Sequence, residues 1–361
     1  MNRFYISLIT SLVLSTTCLP SQTMRTIHNA LYHKDMAWYG STESKQVART
    51  VLLLQKTDGG WPKNVKIYNK VLTDSDIIEL RGLKAENTEA TIDNGATYGE
   101  MVFLAKMYQA TKDSVYQAAF LRGLTFIFTM QYPNGGFKQF DRTKGYYTHI
   151  TYNDNAMCNM MHLLRAIVSG NSWFEGLVCD SVKRLAGQSF DKGIDCILKT
   201  QYVQQGKKTI WCAQHDENTL LPAKARAYEL PSLSGFESVN LVLLLMDIPK
   251  PDQRIKDAIN GAMAWFDANR ISDHRIERYA NQDGKPDIRW VKSSEGPDLW
   301  GRFCELQSNK AFVCDRDGMI KYDLAEIGYE RRTGYGWYTD QPNVLFPVYE
   351  KWKATNMPSI N

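Results

Sequence analysis

The chain has 361 residues and a formal net charge of +4, and its 43 basic and 39 acidic residues are dispersed. Proteins that mainly bind nucleic acid carry a basic run or stripe, and the sequence shows neither. Beyond the N-terminal segment, the longest apolar run is Leu241–Met246, too short to cross a bilayer. Without a Pro-rich or Ser/Gly-rich linker, we expect a single domain over residues 25–355 and a monomer.

The first residues predict an export signal that is not part of the fold. A short basic start is followed by apolar residues from Ile6 to Leu14 and by small residues from Ser15 to Thr17. We therefore expect a signal peptide over residues 1–20 and a secreted or periplasmic protein. Cys18 stands where a lipidated cysteine would stand, so lipid anchoring at the cell surface is the alternative, although the residues before it fit a lipobox poorly.

Six of the seven cysteines follow the signal segment. Export permits disulfide bonds, and Cys304 with Cys314 is the most plausible bridge on local grounds. Cys158 lies in an apolar helical pattern, which predicts a buried free thiol. No Cys-x-x-Cys spacing is present, so the sequence does not indicate a zinc site.

Apolar residues recur at helical spacing through most of the chain. An N-terminal helix is expected over about Thr42–Gln55. Three tightly connected helix pairs follow, with apolar faces over residues 101–108 and 115–128, 157–168 and 181–200, and 239–246 and 255–266. Strand patterns are scarce.

Each helix pair leaves an apolar face uncovered, and stacking the pairs around an axis buries it. We therefore expect an all-α fold, an incomplete (α/α) toroid of about three helical hairpins with long irregular loops. The N-terminal helix and a less regular tail after Ser272 would close it.

The loops between pairs repeat one order of features. Each starts at a glutamine that ends a helix, passes a Gly/aromatic turn and delivers a polar motif to the next helix. The delivered motifs are Asp93-Asn94-Gly95, Asp154-Asn155-Ala156 and Ala225-Arg226-Ala227. Because loops between pairs leave the same end of a toroid, Asp93, Asp154 and Arg226 are expected on one rim.

Each of these side chains also has a purely structural interpretation. Asp93 and Asp154 are placed like helix N-caps, and Arg226 is close enough to Glu229 to form an ion pair that holds the loop. The recurrence of Asp-Asn before two helices favours instead a pair of convergent carboxylates, a donor set that suits calcium. Lys63, which follows the first Gly-Gly turn, is a candidate for lining a sugar subsite. The six histidines are scattered, so catalysis by histidine is not indicated.

Several motifs together resemble polysaccharide lyase family 10, a family of secreted bacterial pectate lyases. They are Asp58–Asn64, Thr91–Thr97, Tyr152–Met157, Ala225–Ser232, Arg316-Asp317-Gly318 and Arg332-Thr333-Gly334-Tyr335. The resemblance covers nearly the whole mature chain. It implies a helical toroid that binds polygalacturonate in a groove and cleaves it by calcium-assisted anti β-elimination.

Carried over by position, the resemblance implies Arg226 as the base, with Asp93 and Asp154 holding calcium at the substrate carboxylate. It implies Arg316 as the residue that binds this carboxylate, with Arg332 as a rival, and Asn94 as a further substrate contact. A guanidinium rarely loses its proton in proteins. We therefore expect nearby cations to depress the pKa of Arg226, and activity to rise towards alkaline pH.

Two other functions remain compatible with the residues alone. One is an α/α-toroid hydrolase that acts on unsaturated uronides with carboxylates and no metal. The other is a non-catalytic glycan-binding protein of the cell surface that uses the many aromatic residues.

Overall fold

A computed structural model describes residues 33–64, 71–85, 90–141 and 144–357. The predicted signal peptide and Cys18 lie outside these ranges. Within them the α-helices are α1 Thr42–Leu54, α2 Asp74–Ala85, α3 Tyr98–Thr111, α4 Ser114–Met130, α5 Ala156–Val168, α6 Asp180–Thr200, α7 Glu237–Met246, α8 Gln253–Ala268, α9 Tyr329–Thr333 and α10 Leu345–Asn356. No helix in the described ranges has the length and hydropathy needed to cross a bilayer.

The three predicted helix pairs are confirmed as α3 with α4, α5 with α6 and α7 with α8. Short polar turns fix the pairs. Lys112 ends α3 in the left-handed conformation, and the Asp113 side chain accepts the backbone N–H of Val115 at the start of α4 at 3.0 Å. Asp252 caps α8 in the same way, accepting from Ile255 at 2.9 Å. Such caps satisfy backbone donors that the first helical turn leaves unpaired.

The repeated glutamine follows α1, α4 and α6 and ties each helix to the next one around the toroid. Its side-chain amide donates to one carbonyl in its own loop and to one in the middle of the neighbouring helix. The acceptors are Gly59 and Ala119 for Gln55 (both 2.8 Å), Gly135 and Ser189 for Gln131 (3.0 and 2.9 Å), and Thr209 and Ala258 for Gln201 (both 2.8 Å). One ring of helices therefore runs α1, α4, α6, α8, and the other runs α3, α5, α7.

The tail after α8 contains a further copy of the repeated loop, and this copy was not predicted from the sequence. In three loops a buried tryptophan donates its indole N–H to a carbonyl near the end of the preceding helix. The pairs are Trp61 with Val51 (2.8 Å), Trp211 with Ile197 (2.7 Å) and Trp300 with Phe266 (2.8 Å). The last pair follows α8, and α10 then packs on α7 and α8 and helps to close the bundle.

Within the described ranges the strands form five two-stranded antiparallel sheets. They are β1 Ile150–Thr151, β2 Val203–Gln204, β3 Lys207–Lys208, β4 Gln214–His215, β5 His274–Ala280, β6 Pro286–Lys292, β7 Trp300–Gly301, β8 Val313–Cys314, β9 Ile320–Lys321 and β10 Tyr338–Thr339. The prediction of an all-α toroid is confirmed, but hairpin β5–β6 and helix α2 were not predicted. The hairpin is largely charged and only partly buried, so it lacks the alternation of a half-buried strand.

The predicted Cys304–Cys314 disulfide is wrong. All six described cysteines are free thiols. Cys304 belongs to the main hydrophobic core, whereas Cys314 belongs to a second cluster around Tyr228 and Trp337. Their sulfur atoms donate separately to the carbonyls of Gly301 (3.7 Å) and Asp315 (3.4 Å). The expectation that Cys158 is a buried thiol is confirmed.

Candidate active site

Two matching 3-10 turns, Asp93–Gly95 and Asn153–Asn155, pack against each other before α3 and α5. Each contains left-handed backbone, at Asn94 (φ 53°) in the first and Asp154 (φ 50°) in the second. Asn and Asp are the non-glycine residues that adopt this conformation most readily. The N-caps of α3 and α5 are instead Thr97 and Asn155, so neither aspartate caps the following helix. The N-cap interpretation is therefore wrong for both aspartates.

Asp93 is buried on the rim beside Lys63. Its side chain is 4% exposed and forms an ion pair with the Lys63 ammonium group. The other carboxylate oxygen accepts the backbone N–H of Asn94 at 3.0 Å. The ammonium group also lies 5.1 Å from the centre of the Phe140 ring. Lys63 and the half-buried Asn94 thus stand on either side of this carboxylate.

Asp154 is the more accessible of the two carboxylates, with 31% of its side chain exposed. One oxygen accepts the Asn153 amide at 2.7 Å, and the other lies 3.7 Å from the Arg302 guanidinium. Burial raises the pKa of Asp154, Arg302 opposes this, and the negative charge of Asp93 raises it further. The two carboxylates are therefore near enough to repel each other, as expected for one rim.

Arg302 and Glu237, which were not predicted from the sequence, form a buried ion pair beneath Asp154. Glu237 is fully buried and pairs with the Arg302 guanidinium. That guanidinium also donates to Asn153 at 3.2 Å and lies 4.7 Å from the centre of the Tyr335 ring. Burial works to lower the pKa of Arg302, but Glu237 outweighs it and raises the pKa.

One sequence signal was available for Arg302. It stands two residues after Trp300, as Lys63 stands two residues after Trp61. Both tryptophans anchor a loop to the preceding helix, and both cations lie beside a rim aspartate. The Trp-x-Lys/Arg spacing after α1 therefore recurs after α8, and this recurrence predicts Arg302 as the counterpart of Lys63.

Arg226 lies on the same rim: the centre of the Tyr335 ring is 5.7 Å from its guanidinium and 4.7 Å from that of Arg302, which contacts Asp154. The ion pair with Glu229 is present: Arg226 Nε donates to Glu229 at 2.7 Å, and a second guanidinium nitrogen binds the other carboxylate oxygen. Tyr335 donates to the same carboxylate at 2.8 Å. The Arg226 side chain remains 43% exposed, so it is held by Glu229 yet accessible at the rim.

The expectation that neighbouring cations depress the pKa of Arg226 is wrong for this structure. Burial works to lower the pKa of Arg226, but the hydrogen bonds and negative charge of Glu229 outweigh it, and the pKa is raised. Burial likewise works to raise the pKa of Glu229, and the Arg226 contacts lower it. The pair is therefore stable in its ionised form.

The two rival arginines have different surroundings. The Arg316 side chain is 68% exposed and donates to Glu330 at 3.2 Å. The turn that contains Arg316 and Gly318 lies against the Arg226 loop. A Cβ atom placed on Gly318 would be 3.3 Å from the carbonyl oxygen of Ala227.

Arg332 directs all three side-chain nitrogens elsewhere: two bind Asp287 (both 2.8 Å) and one binds the carbonyl of Ile327 (2.9 Å). Arg316 thus lies in a turn beside the Arg226 loop, whereas Arg332 attaches α9 to hairpin β5–β6.

A separate group of possible metal ligands was not predicted. One ligand atom each from His149, Asp216 and Glu217 lie within 4.8 Å of one another. The Glu217 carboxylate already binds His149 (3.0 Å) and Thr148 (2.9 Å), and Asp216 accepts from Thr219. The sequence does not predict this group, because His149 and Glu217 belong to different inter-pair loops, 68 residues apart.

Known proteins similar to this chain bear on the chemistry of the rim. A model of the pectic acid lyase family matches residues 55–346. A solved family 10 polysaccharide lyase from Cellvibrio cellulosa is 34% identical with a TM-score of 0.75, over 91% of this chain and 99% of that chain.

A mutant of the Cellvibrio cellulosa family 10 enzyme, solved with trigalacturonic acid, is 33% identical with a TM-score of 0.75 and the same coverage. No curated protein matches the chain. The hydrolase and the non-catalytic glycan-binding protein are thus set aside. Fold, motifs and family match agree: the chain belongs to the pectic acid lyase family, resembles the family 10 polysaccharide lyases throughout its structure, and is a pectate lyase.

Proposed function

We propose that the enzyme cleaves de-esterified polygalacturonate by anti β-elimination, with Arg226 as the base and calcium as cofactor. The observation that carries the proposal is geometric: the turns of Asp93 and Asp154 pack against each other, and Tyr335 lies between Arg226 and the Arg302 guanidinium that contacts Asp154. Elimination removes the proton at C-5 of a galacturonate residue and expels the oxygen at C-4, which leaves an unsaturated uronide. The step needs a base and positive charge at the neighbouring carboxylate, where negative charge develops.

The rim carboxylates fit calcium. Asp93 and Asp154 offer oxygen donors, which calcium prefers, and their mutual repulsion is a cost that a divalent cation would remove. When bound, calcium would neutralise the substrate carboxylate and so acidify the C-5 proton. The group formed by His149, Asp216 and Glu217 offers an imidazole nitrogen, and its carboxylates are already hydrogen-bonded, so it fits calcium less well. Two protein carboxylates leave room for substrate oxygens.

The remaining rim cations position the substrate. We assign Arg316 to the substrate carboxylate, because its exposed guanidinium has a single long hydrogen bond to exchange for a better one. Lys63 and Asn94, on either side of Asp93, are assigned to sugar contacts. Arg332 is not assigned to the substrate carboxylate, because its side-chain nitrogens already bind Asp287 and the carbonyl of Ile327.

Arg226 would act as base only after losing a proton that Glu229 helps it to keep. Turnover should therefore increase with pH as the neutral guanidine becomes populated. We place the substrate cleft along the rim, on the exposed side of Arg226. Glu229, itself bound by Tyr335, holds the other side, so the nitrogen that would receive the C-5 proton is oriented before substrate arrives.

A single assay tests the proposal. Cleavage of polygalacturonate is followed through the ultraviolet absorbance of the unsaturated product, with and without EDTA. Arg226→Ala should abolish the rise. Arg254→Ala is the matched control. Arg254 is exposed at the N-terminal end of α8 and pairs with Asp195 and Asp252, whereas the loop with Arg302 follows the C-terminal end. Full activity in EDTA would refute the calcium requirement, and an active Arg226→Ala enzyme would refute the assigned base.

We also propose that residues 1–20 direct export. The basic start and apolar core of this segment support the proposal. Cell fractionation of the full chain should place the mature enzyme in the periplasm or medium, and Cys18→Ala would move it from the membrane fraction if the cysteine is lipidated.

A further inference from the structure

A cavity of about 420 Å³ lies behind the segment that carries Arg302. Gly301 and Cys304 line this cavity, whereas Arg302, between them, turns to Asp154. The end of α8, hairpin β5–β6 and the loop after Cys304 supply the other walls. The volume lies within the roughly 300–1,000 Å³ typical of small-molecule sites. We call this space the rear cavity.

One wall of the rear cavity is a stack of three rings. Trp290 lies between His274 (centroids 5.2 Å apart, planes 8° apart) and Tyr338 (4.0 Å, 17°). Pairing of β5 with β6 brings His274 and Trp290 to the same face of the hairpin. Tyr338 belongs to the separate β7–β10 sheet and stacks on Trp290 from there. Rigid aromatic walls with a few polar groups are the usual lining of a ligand site.

The other wall supplies positive charge. Arg270 and Lys310 line the rear cavity, and no described residue lining it is acidic. Arg270 is partly neutralised from outside the lining by Asp267 (2.7 Å) and Asp298 (3.1 Å).

Lys310 is the less neutralised of the two cations. Its ammonium group lies 3.4 Å from the centre of the Tyr322 ring, and the described residues offer it no ion pair at salt-bridge distance. Ser308 and Tyr322 already bind the Glu305 carboxylate and lower its pKa, and Lys310 is close enough to lower that pKa further. A carboxylate ligand would therefore find an available cation at Lys310.

We propose that the rear cavity is a binding site for a uronic acid residue, one sugar or two, with its carboxylate on Lys310 and its ring against the aromatic wall. The choice of a uronate rests on the proposed function, because the substrate and product of that reaction are polyanionic sugars. The site requires neither calcium nor Arg226. It would retain a product or a stretch of chain beyond the cleft.

The test is a binding measurement in EDTA, by calorimetry or ligand-observed NMR, with digalacturonate as probe and galactose as its uncharged counterpart. Lys310→Met keeps the length of the side chain and removes the charge, and Lys310 is exposed, so the fold should survive. We expect at least about tenfold weaker binding of digalacturonate, the size of a lost charge-assisted hydrogen bond. Galactose binding should not change.

Lys63→Met in the cleft is the matched comparison. Ser308→Trp, at an exposed position of the lining, is a second variant that fills the cavity without altering charge, and it should also abolish binding. Unchanged digalacturonate binding in Lys310→Met, or a loss confined to Lys63→Met, would overturn the proposal. Because the assay contains chelator and needs no turnover, failure of calcium-assisted elimination would not alter its outcome.

Discussion

The carboxylate of Glu229 controls the protonation of the proposed base. It binds Arg226 through both oxygens and also accepts the hydroxyl of Tyr335. Hydrogen bonds to a charged group stabilise that charge. The contact holds Arg226 in one orientation but opposes the loss of its proton, so for the proposed base orientation and basicity are in conflict at one residue.

Replacing Glu229 with Gln should move the alkaline rise of kcat to lower pH. Glu229 raises the pKa of Arg226, so removing its charge lowers that pKa and populates the neutral guanidine earlier. A charged hydrogen bond of about 1.5–3 kcal/mol corresponds to a shift of about one to two pH units. The measurement is the pH profile of kcat on polygalacturonate. Glu277→Gln, which breaks a similar pair with Arg289 on hairpin β5–β6, should leave the profile in place. A Glu229→Gln profile that stays fixed would argue against Arg226 as base.

Replacing Arg316 with Ala and replacing Arg332 with Ala should have different effects on KM and Tm. Loss of a substrate-binding guanidinium raises KM by about tenfold or more, and we expect this of Arg316→Ala. Arg332→Ala should leave KM within about twofold of the wild type and lower Tm, because it frees the buried Asp287 carboxylate. Steady-state kinetics and thermal unfolding of both variants decide the matter. If instead Arg332→Ala raised KM and Arg316→Ala did not, Arg332 would be the residue that binds the substrate carboxylate.

At the scale of elements, the repeated loop is a structural device that brings the rim together. A glutamine links successive outer helices, and a tryptophan or phenylalanine fills the space beneath each turn. The device fixes where each loop leaves the bundle. Side chains that follow it at similar spacing, among them Lys63 and Arg302, therefore reach the same rim.

Replacing Gln201 with Leu should destabilise the fold by roughly 1–3 kcal/mol. The substitution leaves the carbonyl of Thr209 buried without its side-chain donor, and such a group costs about 1–3 kcal/mol. The carbonyl of Ala258 also loses the Gln201 amide, but it still accepts a backbone N–H within α8. Chemical denaturation measures the change. Gln253→Leu is the control, since Gln253 is exposed and its side chain binds the exposed Asp257, and it should change stability by less than about 0.5 kcal/mol. Equal stability of the two variants would show that the glutamine link is dispensable.

At the scale of the whole molecule, the proposed calcium site joins two successive repeats. Asp93 precedes α3 and Asp154 precedes α5, so an ion between them would connect the first and second helix pairs. A ligand that binds only the folded state stabilises it by about 2.7 kcal/mol at a hundredfold excess over its Kd.

Calcium should therefore raise Tm in the wild type, and Asp154→Asn should remove most of this rise. Loss of a residue that only supports a metal ligand typically lowers metal affinity by about tenfold or more. Loss of Asp154, a proposed direct ligand, should lower calcium affinity at least as much. Differential scanning calorimetry in EDTA and in calcium measures both effects. Asp195→Asn on the outer surface of α6 is the control and should keep the full rise. A calcium-dependent rise that persists in Asp154→Asn would move the site elsewhere, with His149, Asp216 and Glu217 as the first alternative.

The sequence by itself determined the helix pairs, their order and the shared rim. Apolar periodicity and caps such as Asp113 and Asp252 are local properties, so they can be read without knowing what packs against what. Repetition of the loops then placed Asp93 and Asp154 together, since equivalent loops leave one end of a toroid.

Only the tertiary structure decided which charges pair. Arg302 meets Glu237 across 65 residues of chain, and Arg332 meets Asp287 across 45. The same holds for the free state of Cys304 and for the rear cavity behind Arg302. Such contacts depend on how distant segments pack, and local periodicity carries no information about them, because a side chain's partner is set by the space that the whole fold leaves beside it.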